Sequence, residues 1–232
     1  MTPLPTPDAI GSLIADFAEC LDYFAAMPGD PKFELYLDSL QRRAKFQTAS
    51  DALACDESLG SMHRTLKIFF RLARAGLVPL DQFAGELRGH AESIAQFEDQ
   101  KLGAVPSDTG DRLWSLISRM KLTANKKEED RDKEKSKLVS GTKTLNLLLP
   151  DLVVPIDRQY TGSFLYRYAP EFDAGPDEEK TFGVAFSAFR KIARAVDPSA
   201  YVGRHRVHAS ATKVIDNGVI GFVERSRAAL AQ

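Results

Sequence analysis

Apolar residues recur every three or four positions along nearly the whole chain, the spacing that gathers them on one face of an α-helix. Ile10, Leu13, Ile14, Phe17, Leu21 and Phe24 form the first such run, with Asp8 as its expected cap and Pro28-Gly29 as its end. Phe33 to Thr48 keeps the period through Leu35, Leu37, Leu40 and Phe46. Leu59 to Ala75 keeps it through Leu66, Phe69, Phe70 and Leu72 and stops at Gly76. Leu80 to Leu102 carries Phe83, Leu87, Ile94 and Phe97, and Ser107 or Asp108 is placed to cap Leu113 to Leu122, which holds the sole tryptophan, Trp114. Tyr160 to Tyr168 reads as a short aromatic helix stopped by Pro170. Helices from about Pro176 to Val196 and from about Ala211 to Ala229 follow. Period-two alternation bounded by hairpin turns is not found, and only the β-branched run Leu152 to Ile156 is ambiguous. The pattern predicts an all-α protein of about nine or ten helices.

Residues 126–137 contain no apolar side chain and read as a solvated helix or linker with local ion pairs. They divide the chain into an N-terminal helical region, 1–125, and a C-terminal one, 126–232, expected as two helical subdomains flanking a cleft within one compact unit. A length of 232 residues suffices for one substantial core or two small ones. No apolar run reaches the length of a membrane span, and the N-terminus lacks the basic start of a signal peptide. Cys20 and Cys55 are too few for a disulfide framework or a structural zinc site, so a cytoplasmic location is expected.

The net charge of −1 argues against a nucleic-acid partner until its distribution is considered. Residues 1–60 hold ten acidic and four basic side chains, whereas 190–232 hold eight basic and three acidic. Such segregation can create a basic face on a neutral protein, and it can also arise on any solvated surface.

The segment with most chemical content is Leu138-Val139-Ser140-Gly141-Thr142-Lys143-Thr144-Leu145-Asn146, followed by Val153-Val154-Pro155-Ile156-Asp157. A glycine turn opening an apolar helix would leave its backbone N–H groups pointing outward as an anion site. The hydroxyls of Ser140, Thr142 and Thr144 would add donors for phosphate oxygens, with Gly141 permitting close approach. The bland alternative is a helix–helix turn capped by Ser140 or Thr142. Asp157, after Pro155-Ile156 and before Arg158, suits the N-cap of the next helix. It equally suits a carboxylate beside a bound phosphodiester.

These residues resemble the helix-hairpin-helix DNA glycosylases, the endonuclease III and 8-oxoguanine glycosylase superfamily. The similarity covers about thirty residues. It implies a DNA partner, base excision by N-glycosidic bond hydrolysis after base flipping, and no cofactor. Two cysteines leave no iron–sulfur cluster. By resemblance Asp157 falls on the essential aspartate, and Lys143 falls on the Schiff-base lysine of members with lyase activity. A carboxylate next to the sugar would stabilise its developing positive charge and orient water. Lys143 could instead neutralise a phosphate.

Further DNA contacts are expected from Arg158 and from the basic loop Arg204-His205-Arg206, with Lys213 at the next helix start. His205 and His208 lack a third ligand, so no metal site is expected. Base flipping needs an aromatic pocket, for which Trp114 and Tyr160 are the first candidates, then Tyr166 and Tyr201, with Phe69 and Phe70 behind them. The leading expectation is a DNA glycosylase, with a bacterial enzyme directed at hypermodified phage bases as one form. A non-catalytic DNA-binding protein and an all-α interaction protein are the alternatives.

Overall fold

Close approach of two helices at glycines joins the N-terminal and C-terminal regions. A methyl group on Gly221 would sit 2.0 Å from the Cys20 carbonyl oxygen, and one on Gly218 would sit 2.6 Å from the Phe17 ring. Only hydrogen at these Cα atoms lets α2 (Phe17–Ala26) lie against α12 (Ala211–Leu230). α12 is buried without interruption from Ala211 to Gly221, so it is an interior helix rather than an amphipathic surface one.

The computed structural model describes residues 9–124, 137–157, 159–168 and 177–231, without the side chains of 166–168. Twelve α-helices lie among the described residues, and no strand does. The fold is all-α, as the periodicity predicts. The helices are shorter than the sequence runs because the chain breaks inside several of them. The first run divides at Asp16 into α1 (Ala9–Ala15) and α2. The second ends early, at Arg43 of α3 (Phe33–Arg43). Thr48 then opens α4 (Ala49–Ala54) with a capping box, its hydroxyl accepting from the Asp51 amide while the Asp51 carboxylate accepts from its own amide. α5 (Asp56–Ile68) stops before Phe69, seven residues short of the expected end at Ala75. The run from Leu80 divides into α6 (Leu80–Gly89) and α7 (Ala91–Ala95), and α8 (Thr109–Arg119) follows.

Further along the chain come α9 (Lys137–Leu148), α10 (Tyr160–Tyr168) and α11 (Glu178–Val196), then a 3-10 turn at Pro198–Tyr201 and α12. α9 packs on α3, α5, α8 and α11, and α12 packs on α1, α2, α10 and α11. Helices of the N-terminal region thus cover both central helices of the C-terminal one. One apolar core, from Ala9 to Val223, runs through both regions. The ambiguous run Leu152–Ile156 is extended but pairs with no strand; Asn146 Nδ2 donates to the Val153 carbonyl (2.8 Å) and Thr142 Oγ1 accepts from the Ile156 amide (3.2 Å). No described helix is long and apolar enough to cross a membrane. The charged stretch lies outside the described residues except for Lys137.

Candidate active site

A cleft of about 1350 Å3 opens between the turn joining α2 to α3, the segment after α5, and the facing sides of α9, α10 and α12. Phe33, Phe69, Phe70 and Tyr160 give it aromatic walls. Phe69 and Phe70 meet edge to face at 4.9 Å, and Phe33 and Phe69 do so at 5.7 Å. Exposed Arg71, Arg74, His205 and Arg206 border the mouth. Four charged groups line the interior: Lys143, Asp157, Lys213 and Asp216.

Local structure accounts for each of the four. Val139, Ser140 and Lys143 all border the cleft, as neighbours one turn apart on a helix do. The Lys143 ammonium lies 5.3 Å from the centre of the Phe70 ring. Burial pushes its pKa down, and the nearby Asp157 and Asp216 carboxylates oppose that shift. Asp157 ends the extended run, which Thr142 and Asn146 fasten to α9. Its Oδ1 accepts from the Tyr160 amide at 2.6 Å, so it caps α10 from within the cleft. On α12, Lys213 Nζ donates to Asp216 Oδ2 at 2.5 Å, and both residues are only 5% exposed. Burial raises the Asp216 carboxyl above its ordinary range, against the pull of Lys213.

A buried network underpins this floor. Tyr36 of α3 donates its hydroxyl to Asn146 Oδ1 (3.0 Å), and Asn146 Nδ2 donates to Thr212 Oγ1 (2.9 Å) as well as to the Val153 carbonyl. Asn146 therefore uses its acceptor and both donors while joining α3, α9, α12 and the extended run. The Tyr36 ring also lies 5.9 Å from the Lys213 ammonium. Four segments are held in register at the point where the charges meet.

The expected anion-binding hairpin is not formed. Gly141 lies a full turn inside α9, so the amides from Gly141 onward bond within the helix instead of pointing outward. Ser140, Thr142 and Thr144 are 2%, 0% and 0% exposed, and Gly141 is buried. Thr142 donates back to the Leu138 carbonyl at 2.7 Å. These four residues are packing and bracing elements, and only Ser140 borders the cleft. Gly141 is needed for a different reason than a turn: a methyl there would lie 2.7 Å from Ile117 Cγ2 of α8. Near the start of α9, the Leu138 amide bonds the Glu178 carboxylate at 3.1 Å.

Trp114 is also displaced from its expected role. It stacks on Phe182 of α11 at 5.8 Å and does not line the cleft. Tyr201 packs edge-on against Phe17 and carries Arg204 over its ring at 4.6 Å, again away from the cleft. Arg206 pairs with Glu34 at the mouth. Lys213 faces the interior in its ion pair and so is not a surface contact to a DNA backbone. Arg158 lies outside the described residues, as does the side chain of Tyr166.

Lys143, Asp157, Tyr160, His205, Arg206 and Lys213 do converge on one cleft. Sequence reasoning did not single out Asp216, Arg71 or Arg74, which also line the cleft, and Phe69 and Phe70, given as weaker candidates, line it too. Asp216 had a readable signal, the one ionisable residue in the mostly apolar run from Val214 to Val223, three residues after Lys213. Arg71 had little, since it follows an unforeseen helix end and adopts a left-handed backbone (φ 58°), rare for a residue with a side chain. Among the described residues no three His, Cys, Asp or Glu side chains converge as a metal site. Comparison with family models, curated proteins and solved structures found no match for this chain.

Proposed function

We propose that the chain is a DNA glycosylase that draws one nucleotide into this cleft and hydrolyses its N-glycosidic bond. The observation that carries the reading is the convergence of a carboxylate and a desolvated lysine inside an aromatic-walled cleft with exposed arginines at its mouth. Breaking a bond between sugar and base leaves positive charge on the sugar, and Asp157 is the group that would oppose it and align water. Phe33, Phe69, Phe70 and Tyr160 offer apolar faces for an extruded base. Arg74, and Arg71 beside Asp30, supply positive charge for the flanking phosphodiesters, in place of the hairpin expected from the sequence.

Lys143 fits the role of an amine nucleophile. A lysine with a lowered pKa holds a larger share of neutral amine, which is the form that attacks a sugar carbon. That would add lyase activity to hydrolysis. The cleft, at about 1350 Å3, is larger than the ~300–1,000 Å3 usual for small-ligand sites and leaves room for a nucleotide with an enlarged base. A bacterial defence against phages with hypermodified DNA would present such bases.

The test is release of free base, measured by mass spectrometry, from DNAs carrying damaged, normal and phage-type modified bases. A specific base freed by the protein is the expected result. Salt-sensitive DNA binding with no release from any member of the panel would leave a non-catalytic DNA-binding protein instead.

A further inference from the structure

The Lys213–Asp216 pair asks for an explanation that packing does not provide. From Val214 to Val223, Asp216 is the only ionisable residue of α12. Removing two charges from water costs several kcal/mol per ion, and a buried pair seldom repays that against apolar residues of the same size. A helix so deeply buried would fold as well or better with leucine-like side chains at both places. Yet both residues line the cleft, and the Tyr36–Asn146–Thr212 network fixes α12 at that level.

Hydrolysis of a base from its sugar has two requirements. One is a carboxylate for the sugar and water. The other is a donor for the departing base, whose nitrogen gains an electron pair as the bond breaks. Asp157 meets the first and cannot meet both. Lys143 faces the Phe70 ring and is the amine that burial drives toward its neutral form. Lys213 carries three N–H bonds, of which one is committed to Asp216 Oδ2.

We propose that Lys213 is the proton donor to the leaving base and that Asp216 is its positioning residue. The inference rests on the base-excision reading above. In the step, water oxygen bonds to the sugar's anomeric carbon as the carbon–nitrogen bond breaks, and that bond's electron pair stays with the base. Asp157 takes a proton from the water and Lys213 Nζ gives one to the base. Transfer through solvent from Asp157 to Lys213 restores both groups.

The experiment compares wild type with Lys213→Met on two oligonucleotides. One contains the base that the release panel identifies, and the other contains the same base with a ring halogen that makes it a better leaving group. A general acid contributes ~10²–10⁴-fold, and least where the leaving group needs least help. Lys213→Met should therefore lower kcat by ~10²–10⁴ on the parent base and within about tenfold on the halogenated one, with KM nearly unchanged. Asp216→Asn should give the same pattern at smaller amplitude. Lys213→Met leaves Asp216 buried without its partner, so Lys213→Met/Asp216→Leu, which removes both charges, keeps the comparison valid if the single variant folds poorly. An equal loss on both bases, a loss confined to KM, or full activity in the double variant overturns the assignment of Lys213 while leaving base excision standing. Absence of release by wild type from every DNA overturns base excision, and this inference with it.

Discussion

Asp157 is a helix cap and the proposed carboxylate at once, and two substitutions separate these roles. Alanine removes the acceptor for the Tyr160 amide, which Oδ1 meets at 2.6 Å. Losing such an N-cap costs ~0.5–2 kcal/mol, typically ~1. The figure belongs near the middle of that range, because Phe164 and Leu165 bury α10 independently of its cap. For a chain of this length ~1 kcal/mol lowers Tm by ~2–4 °C. Asparagine keeps an oxygen at the same place and is an equally good cap, so Asp157→Asn should be stable to within a few tenths of a kcal/mol. The chemistry should divide the other way. Both variants lack the charge opposite the sugar and should lose base release by ~10²–10³ or more. Urea unfolding at neutral pH and base release, on the same three preparations, give both readouts. Equal destabilisation by Ala and Asn would refute the capping geometry. Full release by Asp157→Asn would refute the carboxylate's role and leave a structural cap.

Three further outcomes are expected. Gly221→Ala should destabilise by at least ~3 kcal/mol in urea, because its methyl meets the Cys20 carbonyl, whereas Gly141→Ala should lose ~0–2, since the Ile117 side chain can shift and alanine favours helix; the reverse order would contradict the α2–α12 contact. His208 is 4% exposed with neither ring nitrogen partnered among the described residues, and burial followed by His205 pushes its pKa below 6.5. Below 6.5 the unfolded chain binds the proton more readily, so stability falls with pH by up to ~1.4 kcal/mol per unit until the folded pKa is reached, and urea unfolding of His208→Leu should show a shallower fall. Finally, replacing Arg71 and Arg74 by alanine should reduce the slope of log affinity for duplex DNA against log salt by ~0.9 for each phosphate no longer neutralised, and an unchanged slope would move the DNA path elsewhere.

Periodicity made the helices legible, because a buried stripe leaves its mark at every third or fourth residue whatever the tertiary partners. Helix ends were legible where side chains set them. Asp157 caps α10 through its carboxylate, as the sequence suggests. The ends of α3 and α5 were not, since Ala44 to Phe46 and Phe69 to Leu72 continue an apolar pattern while the chain turns away. The glycine of the Ser140-to-Thr144 segment misled for a physical reason. A glycine is required both where backbone turns and where two helices touch, and Gly141 serves the second need against Ile117. The apolar residues on either side supported both readings. Lys143 and Asp157 were found because their meeting depends on a short connection, only fourteen residues along the chain. Arg71, Arg74 and Asp216 come from segments up to 145 residues apart, and nothing local announces that they share one cleft.

The central claim is that a nucleotide is turned out of DNA into this cleft with its sugar beside Asp157. A crystal structure of the protein bound to a duplex carrying the released base on a 2′-fluorinated, cleavage-resistant sugar tests it directly. The account predicts the base between Phe69, Phe70 and Tyr160, its anomeric carbon facing Asp157 and its edge within hydrogen-bond reach of Lys213. A duplex with every base stacked, or bound on a face that leaves the cleft empty, would contradict it.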